Sequence, residues 1–156
     1  MTNTEPRPAT ADDVRDVTEL VAAAFEKYVE RIGKQPAPML SDYAALVDDG
    51  TVWVVDNGGA VAGMMVAVAR ADHLLVDTVA VSPDAVGLGL GRILLDRAER
   101  LAAELDLPEV RLSTNEAMTE NLDYYPRRGY RETGRGLEDG YRRVFFAKAV
   151  RPAPRR

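Results

Sequence analysis

Apolar residues recur at the three- and four-residue spacing of an amphipathic helix in two long segments of the chain. The first segment extends to about Glu30, and Thr10 with Asp13 three residues later resembles a capping box, which begins a helix. The second segment follows a glycine run and ends at Pro108. The recurring residues are Val14, Val17, Leu20, Val21, Ala24 and Phe25 in the first segment, and Ile93, Leu94, Ala98, Leu101 and Leu105 in the second. The pattern predicts two long helices.

Two shorter helices are indicated by the residues at their ends. One begins after Ser41 and ends at Asp48 to Gly50. The other covers about Thr119 to Arg128, with Gly129 as its C-terminal stop. Residues 32–39 contain two prolines and a glycine, which predicts a loop between the first two helices.

Valine-rich segments between these helices predict the strands. Thr51–Asp56 and Ala60–Ala69 flank the turn Asn57-Gly58-Gly59, as in a β-hairpin. Leu74–Val81 is almost wholly apolar, which predicts a strand buried on both faces. The remaining strands are expected at Val110–Thr114, Tyr130–Thr133 and Tyr141–Lys148, with a loop over Gly134–Gly140 and, near Pro6 and Pro8, at most a short edge strand.

The order of these elements is typical of an α/β fold. Strand, two helices, three strands, helix, strand, helix and two strands predict a mixed sheet covered by helices on both faces. The 156 residues are enough for one domain with a substantial core, and we expect a single domain over residues 1–150 with a flexible tail at 151–156.

Composition excludes several kinds of site. The chain has no cysteine, so disulfides, thiolate metal sites and a cysteine nucleophile are absent. Its single histidine, His73, disfavours a multi-histidine metal site and a Ser-His-Asp triad. We therefore expect no metal cofactor.

Charge and hydropathy restrict the partners. The net charge of −5 disfavours a nucleic-acid partner bound by a broad basic face. No apolar run approaches the roughly 20 residues that a membrane-spanning helix needs. The N-terminal segment is polar and has no signal-peptide core, which predicts a cytoplasmic protein without membrane contact.

The glycine run between the buried strand and the third helix is a candidate anion site. Its sequence, Val86-Gly87-Leu88-Gly89-Leu90-Gly91, lets backbone N–H groups approach a ligand at a helix N-terminus. The structural alternative is a tight turn without a ligand. A Walker loop is disfavoured because Arg92 follows Gly91. A dinucleotide fingerprint is disfavoured because the spacing is G-x-G-x-G.

Two motifs at this point resemble the GNAT (Gcn5-related) N-acetyltransferase family. Val79-Ala80-Val81-Ser82-Pro83, followed by Val86 to Leu95, is similar to the family's motif A. Asn121-Leu122-Asp123-Tyr124-Tyr125-Pro126-Arg127-Arg128-Gly129-Tyr130 is similar to its closing motif. The resemblance covers nearly the whole chain. It implies the acyl-CoA N-acyltransferase fold, a mixed and mostly antiparallel sheet of six to seven strands flanked by four helices.

The resemblance implies acetyl-CoA as the acyl-donor cosubstrate. The family's Gln/Arg-x-x-Gly-x-Gly/Ala pattern maps onto Val86, Gly89 and Gly91, so Val86 stands where a Gln or Arg side chain is usual. The pyrophosphate would then be bound mainly by backbone N–H groups. The residues concerned are Gly87, Leu88, Gly89, Leu90, Gly91 and Arg92, and the pantetheine arm would pair with the backbone of Val79, Ala80 and Val81.

The resemblance assigns Tyr125, four residues before Gly129, to the leaving thiolate, with a buried structural tyrosine as the alternative. The family often has an asparagine seven residues before this tyrosine, where this chain has Met118. Asn121 either faces the pantetheine arm instead or caps the helix.

Asp77 is the candidate general base. By strand alternation it shares a face with Val79 and Val81, and burial between apolar residues would favour its protonated form. A structural carboxylate is the alternative, and water is another route for the proton. In this fold, loops such as Gly33–Met39 and Gly134–Gly140 border the acceptor, where Glu138 and Asp139 either attract a cationic amine or are solvated turn charges.

The resulting hypothesis is direct transfer of an acetyl group from acetyl-CoA to an amine, either of a small molecule or of a protein N-terminus. A non-catalytic acyl-CoA-binding module of the same fold is the alternative, and Tyr125 favours the enzyme. Homodimers are common in the family, and the sequence leaves the oligomeric state open.

Overall fold

A computed structural model describes residues 4–151 of the chain. The strands are β1 (Arg7–Pro8), β2 (Val52–Asn57), β3 (Ala60–Ala69), β4 (Leu74–Val81), β5 (Glu109–Asn115), β6 (Arg131–Glu138) and β7 (Tyr141–Ala149). The α-helices are α1 (Val14–Ile32), α2 (Tyr43–Asp48), α3 (Leu90–Glu104) and α4 (Thr119–Arg127). Of the tail expected at residues 151–156, residues 152–156 lie outside the described residues.

The seven strands form one sheet in the order β1-β2-β3-β4-β5-β7-β6. The pair β4–β5 is parallel, whereas β1–β2, β2–β3, β5–β7 and β6–β7 are antiparallel. The predicted fold class, a mixed and mostly antiparallel sheet with four helices, is confirmed. None of the helices in residues 4–151 combines the length and apolar character needed to cross a membrane.

The chain divides into two compact units, and the first comprises residues up to Ala67 together with Thr78–Arg97. Its apolar core is formed by side chains that are almost fully inaccessible to solvent. These are Val17 and Val21 from α1, Val54 and Val55 from β2, Met64 and Met65 from β3, and Leu94 and Leu95 from α3. The amphipathic patterns of α1 and α3 therefore face apolar neighbours, as expected.

The second unit comprises Val68–Asp77 and the chain from Ala98 onward. Its core is built from alternate residues of three strands and from the small residues of α3. The buried side chains include Leu74, Val76, Val110, Leu112, Val144 and Phe146, with Ala98 and Ala102. A buried face on each strand leaves the opposite face of β4, β5 and β7 for other contacts.

The prediction that β4 is buried on both faces is wrong. Leu74, Val76, Thr78 and Ala80 are buried, but the alternate residues are half-buried and Asp77 is exposed. A continuous apolar run shows that both faces tolerate apolar neighbours, and it does not show that a second layer covers both.

The predicted loop over Gly134–Gly140 is also wrong, because β6 extends to Glu138 and pairs with β7. The register of β6 against β7 shifts between Glu132 and Gly134, where a β-bulge interrupts the regular pairing. β6 lies at the edge of the sheet, where glycine is tolerated. The turn itself consists of Asp139 and Gly140, both with positive φ. The predicted loop after α1 contains a short 3-10 helix at Ala37–Leu40.

Gly63 on β3 is a position where a side chain would disturb the first unit. A Cβ atom there would lie 2.9 Å from Val55 Cγ1 and 3.2 Å from Leu94 Cδ1, both fully buried. We expect Gly63→Ala to lower the free energy of unfolding by about 1–3 kcal/mol, because overpacking must displace β2 or α3. Gly136→Ala in β6 is the control, since its nearest atom would be 3.8 Å away. Equal urea midpoints for the two variants would contradict this packing.

The ionisation of Asp13 makes the stability of the folded protein depend on pH. Its Oδ1 and Oδ2 accept hydrogen bonds from Arg7 at 3.1 and 2.9 Å, and these bonds lower the pKa of Asp13 to about 2. Because the folded pKa lies below the unfolded value of 3.8, the stabilisation is present above about pH 4 and is lost as pH falls to about 2.

We expect Asp13→Asn to cost about 1–2 kcal/mol at pH 7, a difference that shrinks at pH 2. Urea unfolding across this pH range measures it. The exposed neighbour provides the control variant Asp12→Asn, for which the pH profile should match that of the unmodified protein.

Candidate active site

The glycine run joins β4 to α3 through two tight turns. After β4, residues Pro83–Ala85 form a 3-10 turn, and Ser82 Oγ accepts a hydrogen bond from the Asp84 N–H at 3.3 Å. Gly87 and Gly89 then have φ of +92° and +74°, the left-handed region that glycine adopts without a steric penalty. The alternating glycines therefore turn the chain into the helix that begins at Leu90.

The first turn of α3 offers backbone donors. Its first hydrogen bond runs from the Ile93 N–H to the Gly89 carbonyl at 3.1 Å. The N–H groups of Leu90, Gly91 and Arg92 precede this bond and have no acceptor within the helix. With the positive end of the helix dipole, they form a site suited to an anion such as a phosphate.

The parallel pairing of β4 with β5 is short. The ladder joins Leu74–Val76 to Val110–Leu112 and stops there. Asp77 and Ser113 are the next residues on the two strands. Further along β4, Ala80 is buried, whereas Val79 and Val81 are half-buried. The pairing of β4 with β5 therefore stops before β4 reaches the glycine run.

Tyr125 lies on α4 in the second unit and is 9% exposed. Its ring packs against Tyr124, Tyr130 and Phe146, with centroid distances of 5.4, 6.0 and 5.6 Å. Its carbonyl accepts a hydrogen bond from the Tyr130 N–H at 3.1 Å. These contacts fix the position of the tyrosine within its unit and are compatible with either a structural or a catalytic role.

The C-terminal end of α4 is anchored by Lys148. Its Nζ donates a hydrogen bond to the Arg128 carbonyl at 2.9 Å and forms an ion pair with Glu99 at 2.8 Å. Gly129 follows with φ of +93°, as expected for the residue that ends a helix. A cation at this position satisfies a terminal carbonyl and holds the helix that carries Tyr125.

Asn121 takes an arrangement that the sequence did not predict. Its Nδ2 donates a hydrogen bond to Thr114 Oγ1 at 2.9 Å, which ties α4 to β5. Residue Met118, not Asn121, occupies the N-cap position of α4, so the helix-cap hypothesis is wrong. Contact of Asn121 with a pantetheine arm stays a prediction.

A cleft of about 560 Å³ lies in the second unit on one face of β4, β5, β7 and β6. Asp77 lines it and is exposed, so the burial expected for this carboxylate is absent. Glu138 also lines it, and its Oε1 lies 3.6 Å from Arg143 Nε. Asp139, in contrast, belongs to the β6–β7 turn. Within residues 4–151 no cluster of three metal-ligating side chains occurs.

Two arginines of the cleft are held by neighbouring residues. Arg111 donates to Glu109 at 2.8 Å, and this hydrogen bond raises the pKa of the Arg111 guanidinium. Arg143 Nη1 donates to Ser113 Oγ at 3.3 Å. No sequence motif includes Ser113 or Arg143. Once the strand order is known, the available signal is that each residue alternates with buried residues along its strand, Ser113 on β5 and Arg143 on β7.

A family model decides between the candidate families. The model described as the acetyltransferase (GNAT) family matches residues 14–130, which is most of the chain. The chain belongs to the GNAT acetyltransferase family. It is accordingly an acyltransferase, and the resemblance of its two motifs to this family is confirmed.

Solved structures share the fold. Ard1 from Thermoplasma volcanium is 18% identical, with a TM-score of 0.76 over 95% of this chain and 98% of that one. The PaiA N-acetyltransferase from Thermoplasma acidophilum, solved in complex with coenzyme A, is 14% identical, with a TM-score of 0.76 over 94% and 98%. Nourseothricin acetyltransferase is 22% identical, with a TM-score of 0.60, and the match spans 64% of this chain and 65% of that one. A sequence search of curated proteins found no match.

The predicted site residues of this GNAT protein fall in both units. Val79–Val81 and Gly87–Arg92 belong to the first, whereas Asp77, Asn121 and Tyr125 belong to the second. The backbone groups predicted to bind the donor therefore all belong to one unit. The side chains predicted to act on the acceptor and the leaving group all belong to the other.

Proposed function

We propose that the protein transfers the acetyl group of acetyl-CoA directly to the amine of an acceptor. The acceptor nitrogen forms a bond to the thioester carbonyl carbon, and the carbon–sulfur bond breaks. An acceptor ammonium gives up two protons in this reaction, one to solvent and one to the leaving thiolate. No side-chain nucleophile is needed, which agrees with a chain that has no cysteine.

The observation that carries this proposal is the donor-rich first turn of α3 directly after a glycine run in a GNAT chain. The N–H groups of Leu90, Gly91 and Arg92 would bind the pyrophosphate together with those of Gly87 to Gly89. Val86 is 74% exposed and supplies no polar side chain, so the backbone and the helix dipole provide the binding. The backbone of Val79, Ala80 and Val81 would pair with the pantetheine arm, as an added strand does.

Tyr125 is our candidate for assisting the leaving thiolate. An ordinary phenol titrates near pH 10 and an ordinary thiol near pH 8.5, so moving the proton from one to the other is uphill by about 2 kcal/mol. A hydrogen bond that strengthens as negative charge develops on sulfur is therefore a greater part of its contribution than full proton transfer. Tyr125 would act as a donor positioned by its aromatic neighbours.

Asp77 is our candidate for accepting the amine proton. It lies two residues before Val79 on β4, and its exposure leaves it accessible to an acceptor or to an intervening water. An exposed carboxylate binds an ammonium more readily than it deprotonates one. We therefore assign it to binding the acceptor amine and passing its proton to solvent.

A direct test measures thiol release with acetyl-CoA and a panel of amines. We expect release that depends on both acetyl-CoA and an amine, with the N-acetylated product identified by mass spectrometry. The affinity for coenzyme A is measured separately by calorimetry. Binding without release for any amine would remove the catalytic proposal.

Gly89→Ala tests the glycine turn. The φ of +74° at Gly89 is unfavourable for alanine by roughly 1–2 kcal/mol, so the turn relaxes and the first N–H groups of α3 lose their alignment. We expect coenzyme A to bind about 5- to 30-fold more weakly, as measured by calorimetry.

The matched control is Gly58→Ala. Gly58 has φ of +62° in the β2–β3 turn, and like Gly89 it has open space around the added methyl group. It should lose similar stability and keep the affinity for coenzyme A. An unchanged affinity in Gly89→Ala would mean that the turn does not bind the ligand.

Tyr125→Phe tests the leaving-group assignment. We expect kcat to fall by about 10- to 100-fold with little change in the KM for acetyl-CoA, since the hydroxyl acts on charge that develops during the reaction. Tyr124→Phe, on the adjacent residue of α4, should leave kcat near its original value. If Tyr125→Phe had the same kcat as the unmodified protein, Tyr125 would have only a structural role.

A further inference from the structure

The charges of the cleft on β4, β5, β7 and β6 are unevenly paired. Arg111 is paired twice, with Glu109 at 2.8 Å and with Asp72 at 3.6 Å. Asp77, in contrast, has no ion-pair partner among residues 4–151, although it is exposed in the cleft. A carboxylate in this position is a binding site for a cation such as an ammonium group.

Arg143 is the sheltered basic group of the same cleft. Its side chain is 17% exposed, and its Nη1 donates to Ser113 Oγ at 3.3 Å. Its Nε is buried and makes no hydrogen bond within residues 4–151, although it forms an ion pair with Glu138 Oε1 at 3.6 Å. A buried donor without an acceptor is unfavourable, and an anionic ligand would satisfy it. The forked guanidinium matches a carboxylate in particular.

The two groups lie on the strands that flank β5 in the sheet, Asp77 on β4 and Arg143 on β7, where the register pairs Arg143 with Asn115. Asp77 and Ser113 are the residues that follow the last β4–β5 pair, Val76 with Leu112, and both line the cleft. Arg143 lies on β7 and reaches back to Ser113 through its hydrogen bond. A carboxylate and a guanidinium therefore line the same cleft as Ser113.

We propose that this cleft binds the acceptor, that the acceptor is a free amino acid, and that Asp77 binds its amino group and Arg143 its carboxylate. The inference rests on the proposed acetyl transfer and names its substrate class. An amine and a carboxylate on the same carbon fit two oppositely charged groups that line the same cleft. Phe145 and Leu75, which are half-buried in the same cleft, provide apolar contacts for an amino-acid side chain.

The test compares the twenty free amino acids with their carboxamides as acceptors, in the presence of acetyl-CoA. The carboxamide keeps the amine and removes the negative charge. For the unmodified protein we expect kcat/KM for at least one amino acid to exceed that for its carboxamide by about 10- to 100-fold. This ratio corresponds to the loss of one charge-assisted hydrogen bond. A carboxamide that reacts as well as its amino acid would overturn the inference.

Variants locate the effect on the two residues. Arg143→Gln should raise the KM for the preferred amino acid by about 10-fold or more and leave the KM for its carboxamide unchanged. Asp77→Asn should lower kcat/KM for both compounds, because both carry the amine. Arg142→Gln, on the adjacent exposed residue outside the cleft, should change neither. An equal loss on both compounds in Arg143→Gln would show that Arg143 does not bind the carboxylate.

The two proposals fail in distinguishable ways. If other amines are acetylated and no amino acid is, the cleft assignment is overturned and the acetyltransferase stands. If coenzyme A does not bind, or no amine reacts, the proposed function itself is overturned. Thermal unfolding of each variant, with coenzyme A titration, separates a folding defect from a loss of acceptor binding. The comparison of amino acid with carboxamide in the unmodified protein needs no variant.

Discussion

A helix has no internal hydrogen-bond acceptors for the N–H groups of its first turn, and in this chain the first turn of α3 directly follows a glycine run. The left-handed conformations of Gly87 and Gly89 bring the backbone into α3 without side chains in the way. Gly63 on β3 lets Leu94 of that helix pack closely. The position of these N–H groups thus depends on glycines at both the turn and the sheet, and the proposed binding of an anionic acyl donor would depend on them.

The proposals for this protein assign donor recognition to backbone groups and acceptor recognition to side chains. The proposed donor site uses N–H groups, so replacing the usual polar residue by Val86 removes one side-chain contact and keeps the rest. The proposed acceptor site uses the carboxylate of Asp77 and the guanidinium of Arg143, which depend on residue identity. Solved structures that are 14–22% identical to this chain share its fold.

The sequence predicted the element order because hydrophobic periodicity and turn residues are local properties. The helix end at Gly129 and the β2–β3 hairpin followed from them, and the first helix ends at Ile32, two residues after the predicted Glu30. The extent of β6 could not be predicted, since its pairing with β7 is a tertiary interaction that overrides two glycines. The exposed face of β4 was missed for the same reason: an apolar strand does not reveal whether a layer covers it.

The candidate site, like the fold, could be predicted from the sequence only where local motifs mark it. The glycine turn and Tyr125 were accessible from motifs, whereas Ser113 and Arg143 are 30 residues apart and meet only through the β5–β7 pairing. Net charge misleads here as well. A value of −5 describes the whole protein, whereas the cleft combines the exposed carboxylate of Asp77 with the guanidinium of Arg143, which forms an ion pair with Glu138. The proposed acceptor specificity would follow from this local arrangement of charge, because interactions beyond about 8–10 Å are largely screened at physiological ionic strength.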